Sequence, residues 1–496
     1  MLRTGAQYLE SLRDGRQIVL GGEIVTDVTA HPAFRNTARS FARIYDRKRD
    51  TQNIETMSFE KDGERYSSWF MLPRNKADLQ KRAETHRRVA EWSYGLLGRS
   101  ADHVPTFIAG MAMLPELFDA NRKGFGQNII DYLDYLAKGD LFACYLVLTP
   151  QGSRDPEIYK RTGRKNPTLR VVSEDADGIV VSGMKMLGTS AVFSDEAWIG
   201  SMIPLGPDQV DEAVTFAVPM NAKGVQTWVR KSFELNAGNK VDGYFSSQFD
   251  ETDAVMVLDN VRVPWNRVFC YRSVPLMRDM YFKTPAHVMG NHQSNWRFVE
   301  KMKLINGIAH KACEMAGVMQ IPAIQQQLGK LAAAEASLLG LMAGQIDQNE
   351  AVPGGYAQPN KRFLYATLQW CAHNYYQVAE DVKSFMGAGP FLLPADVSTL
   401  ANPQMRETFD DMWQLPGASA TERYKFVKMA WDLLGSDFAG RHTQYERFYG
   451  GPPHIMDLYS YFHAPWAERR GAVDRILADM DDGIAKPAGV LPRAAE

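Results

Sequence analysis

Cysteine is scarce in this chain. Cys144, Cys270, Cys313 and Cys371 are the four in 496 residues. They form no C-x-x-C pair and follow no regular spacing, which excludes a disulfide scaffold, a zinc ribbon and an iron–sulfur cassette. Such a chain suits a reducing cytoplasm. An excess of one charge is missing as well: 56 Lys+Arg stand against 58 Asp+Glu, a formal net charge of -2, so the balance points neither to nucleic acid nor to a membrane surface. Long apolar runs are also absent. The most apolar stretches, residues 106–114 and 385–395, are far shorter than the roughly 18 to 20 residues a membrane span needs, and Gly387, Gly389, Pro390 and Pro394 break the second. The opening residues lead into a polar helix pattern around Tyr8, Leu9 and Leu12 rather than into a secretory signal. The expectation is a soluble, cytoplasmic protein. What is present is an ordinary globular composition, 45% hydrophobic and 23% charged, over a length that would divide into about three domains.

Common catalytic signatures are missing too. The nearest approach to a dinucleotide loop, Gly387-Ala388-Gly389-Pro390, lacks a third glycine and sits at the end of a helical pattern. There is no G-x-x-x-x-G-K-[ST], no H-E-x-x-H and no G-x-S-x-G, so phosphoryl transfer, zincin chemistry and α/β-hydrolase chemistry have no support.

Periodicity divides the chain into three parts. Residues 1–138 read as helices, with a β-like interruption at 18–25 turned at Gly21-Gly22. The clearest helix is 76–97, where Leu79, Ala83, Val89, Trp92 and Leu96 recur at helical spacing; others follow Asp102 and cover 128–137. Across 139–275 the period moves toward two and the residues toward β-branched types, predicting strands near 141–148, 169–172, 178–185, 198–203, 214–218, 225–229 and 255–263, with turn signals at Asp175-Ala176-Asp177-Gly178 and Asp259-Asn260. Helical periodicity returns over 276–496. Ile324, Leu328, Leu331, Ala334, Leu338 and Met342 form a bundle-type stripe in 323–348, further helices are expected at 362–385, 422–434 and 467–480, and the last dozen residues read as a frayed tail. The fold expected is α+β, a β-barrel-like domain between two helical ones.

Four polar clusters stand out. Gly98-Arg99-Ser100-Ala101-Asp102-His103 lies between two predicted helices, where an arginine would face a cleft, although most arginines are surface charges. Met186-Leu187-Gly188-Thr189-Ser190-Ala191 ends a strand with small hydroxylated residues suited to a flat ring, and reads equally as a turn. Gly290-Asn291-His292-Gln293-Ser294-Asn295-Trp296-Arg297 carries a histidine able to titrate near neutrality near the start of a long helix; its plainer reading is a capped helix start. Gly435-Ser436-Asp437-Phe438-Ala439-Gly440-Arg441, continued by Gln444-Tyr445-Glu446-Arg447-Phe448-Tyr449, is either a phosphate site on Ser436 and Arg441 or a capped helix end.

Taken together with Thr4-Gly5, Tyr8-Leu9, Ser11-Leu12-Arg13-Asp14-Gly15-Arg16, His31-Pro32-Ala33-Phe34, Pro150-Gln151 and Tyr445-Glu446-Arg447-Phe448, these clusters make nearly the whole chain resemble the oxygenase component of two-component, reduced-flavin-dependent aromatic monooxygenases, the 4-hydroxyphenylacetate 3-monooxygenase and chlorophenol monooxygenase family. The resemblance implies an acyl-CoA-dehydrogenase-like fold: an N-terminal helical domain, a central β-barrel domain and a C-terminal four-helix bundle, assembled as a homotetramer. It implies FAD, delivered as FADH2 by diffusion from a separate NAD(P)H:flavin reductase, with O2 as co-substrate and a flavin C4a-hydroperoxide as the oxygenating species. Tyr145, Leu146, Val147, Gln151, Gly152, Ser153, Arg154 and Thr189 would contact the flavin, and Gly435, Ser436, Arg441 and Gln444 its distal part. Arg99, His292 and Thr189 would be catalytic. Arg99, His103, Tyr145, Ser201 and Met202 would bind the phenol.

Two departures refine that expectation. His103 and Tyr145 stand where the phenylacetate-hydroxylating branch tends to have a tyrosine and a histidine, and residues 289–295 resemble the chlorophenol and nitrophenol branch, where a histidine is implicated at the phenol oxygen. The expected substrate is therefore a compact phenol, with or without a halogen or nitro group to expel, in preference to 4-hydroxyphenylacetate. A related dehydratase branch binds an iron–sulfur cluster through three cysteines and a histidine; here Arg99 and His103 occupy two of the cysteine places, so no metal centre is expected. The alternatives are 4-hydroxyphenylacetate 3-hydroxylation, an acyl-CoA-dehydrogenase-like oxidoreductase, and an assembly module without flavin.

Overall fold

The structure, a computed structural model, describes residues 2–163 and 166–483. Helix α1 (Gly5–Ser11) opens with a reciprocal cap, the Thr4 hydroxyl accepting from Gln7 N while the Gln7 side chain accepts from Thr4 N. It is followed by α2 (Arg35–Arg47), α3 (Lys76–Trp92), α4 (Val104–Ala112) and α5 (Phe125–Gly139), with shorter helices between. The helix expected over 76–97 ends at Trp92, because Tyr94 and Gly95 turn into the left-handed region at φ 55° and 69°. Two hairpins interrupt the helices. The first, β1 (Ile18–Leu20) and β2 (Glu23–Val25), was expected; the second, β3 (Ser58–Lys61) and β4 (Glu64–Ser67), was not. Its strands are short and polar, but Asp62-Gly63 carried the signal: both residues have positive φ, 53° and 79°, as a two-residue hairpin turn of this type requires.

The middle of the chain holds β5 (Ala143–Leu146), β6 (Arg170–Glu174), β7 (Gly178–Met186), β8 (Glu196–Ile199), β9 (Val214–Pro219), β10 (Val225–Val229), β11 (Ala254–Pro264) and β12 (Val268–Tyr271). They form two open sheets, ordered β2-β1-β10-β11-β7-β6 and β12-β9-β8-β5. The expected barrel is thus corrected: neither sheet closes on itself, and Met186 N donating to Leu148 O at 2.9 Å is a lone bridge from β7 to the segment after β5. The N-terminal hairpin joins the larger sheet through a parallel β1–β10 pair, which no local pattern announced. Asp259-Asn260 ends no strand. It is a bulge inside β11, with Asn260 at φ 49° and the register against β7 shifting between Leu258 and Val261.

The C-terminal part is built on α6 (Ala286–Ala316), closed by Gly317 at φ 70°. One flank of α6 packs on α7 (Pro322–Asp347) and α8 (Lys361–Met386), the other on α3 and α4; α8 continues onto α10 (Asp437–Phe448), which follows α9 (Ala420–Leu434). Along α7 the expected stripe buries Leu331, Leu338 and Met342, whereas Ile324, Leu328 and Ala334 stay half-exposed. The helix expected over 467–480 spans Trp466–Gly483, and the expected tail lies outside the described residues. No helix among the described residues is long and apolar enough to cross a membrane.

Candidate active site

The turn between α3 and α4 carries the first cluster. It threads between α6 and α10 so closely that a Cβ on Gly98 would lie 2.3 Å from the Tyr445 hydroxyl, and this fixes where the next residue projects. Arg99 is half-buried. Its backbone N–H donates to Glu251 Oε2 at 2.8 Å, and its guanidinium lies over the rings of Tyr449 (4.1 Å to the centroid) and Tyr145 (4.9 Å). Among the described residues the side chain touches no carboxylate; one nitrogen donates to His103 and another reaches the Tyr449 carbonyl at 3.5 Å. Burial works against its charge, but Tyr145, Tyr449, Tyr445 and Glu251 outweigh that and raise its pKa. The result is a cation inside an aromatic cage.

His103, four residues further on at the start of α4, is fully buried against Phe107 (ring centroids 5.1 Å), Tyr145 (5.6 Å) and Tyr449 (6.3 Å). Burial first, then the Arg99 charge, pushes its pKa well below the ordinary histidine value, so the ring is neutral at neutral pH. The cage can close because α6 offers Gly290 opposite Phe107: a Cβ there would sit 1.9 Å from the ring.

His292 faces elsewhere. Its Nδ1 meets Gln345 Oε1 at 2.7 Å and its Nε2 accepts from Trp296 Nε1 at 3.2 Å, while its ring lies edge-on to His86 at 6.3 Å. Burial holds its pKa at about 3. Both ring nitrogens have partners away from the Arg99 cage, one on α7 and one on α6 itself, and the structure does not group His292 with Arg99. Its neighbour Gln293, about 100° around the helix, reaches His103 instead, with Oε1 2.9 Å from His103 Nδ1.

Thr189 lies on the sheet side. The turn holding it runs through two non-glycine residues in the left-handed region, Leu187 (φ 63°) and Ser190 (φ 64°), a costly geometry found at functional sites. Its hydroxyl donates to Asp253 Oδ1 at 2.7 Å. Asp253 and Glu251 are in turn gripped by Arg441, with contacts of 2.9 and 2.7 Å to Asp253 and 2.8 Å to Glu251, and Arg230 adds a further 2.9 Å contact to Asp253. Arg441 is therefore committed internally, and its guanidinium is not free for a phosphate. Ser436 is likewise occupied, capping α10 by accepting from Ala439 N and donating to Asp432 O. Gly435 packs against the Trp431 ring, and Gln444 is exposed.

Tyr145 and Leu146 end β5 and Val147 follows it, and beyond them Gln151, Gly152 and Ser153 form a short 3-10 turn; the side chain of Arg154 lies outside the described residues. Met202 N donates to Val147 O at 3.1 Å, and Ser201 bonds locally to the Ile203 carbonyl. Several buried hydroxyls around this space have no hydrogen-bond partner among the described residues: Ser153, Ser190, Tyr445 and Tyr449. Unpaired buried hydroxyls are costly, and a bound polar ring system would satisfy them. The sequence does not single out Phe107, Glu251 or Asp253, and gives no role to Tyr449 or Gln293 within their polar runs; the acidic run Asp250-Glu251-Thr252-Asp253 just before a strand was the available signal.

Comparison with known proteins gives one consistent result. Family models described as 4-hydroxyphenylacetate 3-hydroxylase N terminal and C terminal match residues 4–270 and 277–478. The 4-hydroxyphenylacetate 3-monooxygenase oxygenase component of Pseudomonas aeruginosa is 31% identical, covering 97% of this chain and 93% of the relative. The 4-nitrophenol 2-monooxygenase oxygenase component of a Rhodococcus species is also 31% identical, over 98% and 94%. A solved oxygenase component of 4-hydroxyphenylacetate 3-monooxygenase, complexed with FAD and 4-hydroxyphenylacetate, superimposes with a TM-score of 0.89 at 26% identity, covering 97% of this chain and 99% of that one. An archaeal 4-hydroxybutyryl-CoA dehydratase shares the fold alone, with a TM-score of 0.82 at 16% identity over 92% and 91%.

Proposed function

From the premise that the chain belongs to the 4-hydroxyphenylacetate 3-hydroxylase family, we infer that it is the oxygenase component of a two-component aromatic monooxygenase, working with FAD, dioxygen and a separate partner component. The partner is a flavin reductase that delivers FADH2 by diffusion, and the working assembly is a homotetramer in which the half-exposed stripe of α7 meets another copy. The chain divides into segments 1–138, 139–275 and 276–496.

One observation carries the site assignment: a half-buried guanidinium, Arg99, held between two tyrosine rings without a carboxylate partner. Such a cation attracts an anion that is flat and aromatic, which describes a phenolate. The unpaired hydroxyls of Ser153, Ser190, Tyr445 and Tyr449 fit a bound flavin. Tyr145, Leu146, Val147, Gln151, Gly152, Ser153 and Thr189 would hold its ring, with Gly435 and Gln444 toward its distal part, where Ser436 serves by capping α10. Arg441 contributes by fixing Asp253, and through it Thr189. Reduced flavin held there would supply the two electrons that activate dioxygen, one atom of which enters the aromatic ring while the other leaves as water.

The protein's own residues prepare the phenol. A hydroxyl entering between Arg99 and His103 displaces the Arg99 donor from His103 Nε2 and gives its proton to that nitrogen, and Arg99 stabilises the phenolate left behind. Phenolate is the better nucleophile toward an electrophilic oxygen. Phe107, Tyr145 and Tyr449 wall off water, and Ser201 and Met202 lie toward the rim of the same space. The loop carrying Gly206 to Asp211, between β8 and β9, closes over it. With His103 and Tyr145 in this cage, compact phenols are favoured over 4-hydroxyphenylacetate.

The test is an anaerobic mixture of the protein, chemically reduced FAD and one of phenol, 4-chlorophenol, 4-nitrophenol or 4-hydroxyphenylacetate, exposed to air and analysed for products. Hydroxylated product that requires the protein is expected, with the compact phenols ahead. Hydrogen peroxide alone from all four would overturn the reading, and a clear lead for 4-hydroxyphenylacetate would overturn the substrate assignment.

A further inference from the structure

Behind His103 lies a hydrogen-bonded chain that none of the chemistry above uses. Gln293 points its Oε1 at His103 Nδ1 (2.9 Å) and its Nε2 at Asp102 Oδ1 (3.2 Å). Asp102 also receives the Ser100 hydroxyl on Oδ1, and its Oδ2 lies 2.7 Å from His86 Nδ1. All of these side chains are buried, none more than 2% exposed.

We propose that Asp102 and Gln293 are positioning residues that lock His103 in the tautomer with its proton on Nδ1, so that the Nε2 lone pair faces Arg99 and the incoming phenol hydroxyl. The logic runs one way along the chain. A carboxylate only accepts, so the Gln293 amide must turn its NH2 toward Asp102. Its carbonyl oxygen then faces His103, and because that oxygen also only accepts, the imidazole nitrogen opposite must carry hydrogen. Nε2 is left as the acceptor, which is the state required to receive a phenol proton. The serine and the second histidine keep Asp102 from rotating out of this arrangement. The polar run on α6 thus acts through Gln293.

The surroundings work in the same direction. The groups facing His103 are Arg99 from its own turn, Arg297 from α6, His86 from α3, Tyr145 from β5, and Tyr449 just beyond α10. The two arginines disfavour a resident imidazolium, so the lone pair stays available until a phenolate offsets the charge of Arg99. This inference rests on the phenol-hydroxylating reading for its purpose, but its first readout does not depend on turnover.

The experiment uses the full-length protein labelled with 15N-histidine, with His103 assigned by difference against His103→Gln. The wild type is expected to show the Nδ1–H tautomer. Asp102→Asn frees the Gln293 amide to reverse, and Gln293→Leu removes the lock; in both, His103 is expected to lose that single tautomer, with kcat falling tenfold or more while reduced-FAD affinity stays within twofold. Gln293→Glu keeps an acceptor at Nδ1 and adds negative charge, so it should retain the tautomer and move the acid limb of kcat/KM upward by a pH unit or more. An Nε2–H tautomer in the wild type, an unchanged tautomer in Gln293→Leu, or an unmoved acid limb in Gln293→Glu would overturn the proposal. Because the tautomer is read without turnover, absence of hydroxylated product from every phenol would count against the functional reading and not against the lock.

Discussion

Replacing Glu446 by glutamine probes the buried charges that join α6 to α10. Arg297 grips Glu446 with both terminal nitrogens, at 2.5 and 2.7 Å, and Lys301 donates to the same carboxylate and to His442 Nδ1 at 3.0 Å. All four side chains are out of water. Burial on its own would raise the Glu446 pKa; Arg297 and Lys301 outweigh it and hold the group at about 2 against an ordinary 4.5. A shift of that size corresponds to about 3 kcal/mol at neutral pH, in line with the roughly 3–5 kcal/mol lost when one member of a buried pair is removed. Glutamine keeps the shape and removes the charge. Lys301, held at about 8 by burial, can then shed its proton, but Arg297 cannot. Urea unfolding of the C-terminal helices, followed by far-UV circular dichroism at pH 7.5, should show a loss of about 3 kcal/mol at an unchanged m-value. The sign with pH is fixed: the carboxylate's contribution is complete above 4.5 and disappears as pH falls toward 2, so the gap between wild type and variant should narrow at low pH. A loss below about 1 kcal/mol, or a gap that does not narrow from pH 6 to pH 3.5, would refute the reasoning.

Three other outcomes are expected. Gly290→Ala drives a methyl group into the Phe107 ring; overpacking of this kind costs about 1–3 kcal/mol, and the reduced-flavin assay should show product formation falling along with thermal stability. His292→Asn breaks the contacts to Gln345 and Trp296 and should cost about 1–3 kcal/mol of stability while sparing turnover at low temperature, in contrast to His103→Asn, which should abolish hydroxylation; the reverse pattern would restore His292 to the phenol. Acid should weaken the fold well before the carboxylates titrate: His287 and His292, held at about 3 by burial, stabilise fully above the ordinary 6.5 and lose that contribution as pH falls, each by about 1.4 kcal/mol per pH unit. Glu234, held at about 7 by burial, opposes the trend over part of that range, and a urea midpoint that stays flat from pH 7 to pH 5 would contradict the balance.

Much of the architecture was legible because single elements keep one period along their length. Val225 to Val229 was read with its observed bounds, and helices over 361–386 and 420–434 within one or two residues. What could not be read depended on partners distant in the chain. Asp259-Asn260 announces a left-handed residue, but only the β7 register decides that it bulges instead of ending β11. Arg441 looks like an anion-binding arginine until the fold brings Asp253 and Glu251, 188 and 190 residues earlier, to its guanidinium. On α6 the polar run is visible in the sequence, but its pattern does not say which of its residues faces which neighbour. The helix separates adjacent residues by about 100°, so His292 turns toward α7 and Gln293 toward the cage.

The cluster around Glu446 also sets a schedule for the growing chain. Lys301 emerges from the ribosome well before its counter-charge, which lies 145 residues later, a delay of about 7 to 30 s at typical synthesis rates. During that interval α6 exists with two cations that its neighbours α3 and α4, already made, cannot bury without a carboxylate. The N-terminal helices and sheets can assemble first, but the face of α6 carrying Arg297 and Lys301 must stay wet until α10 arrives. Any nascent chain interrupted before residue 446 therefore exposes this seam, and it is there that a chaperone would find an unfinished molecule.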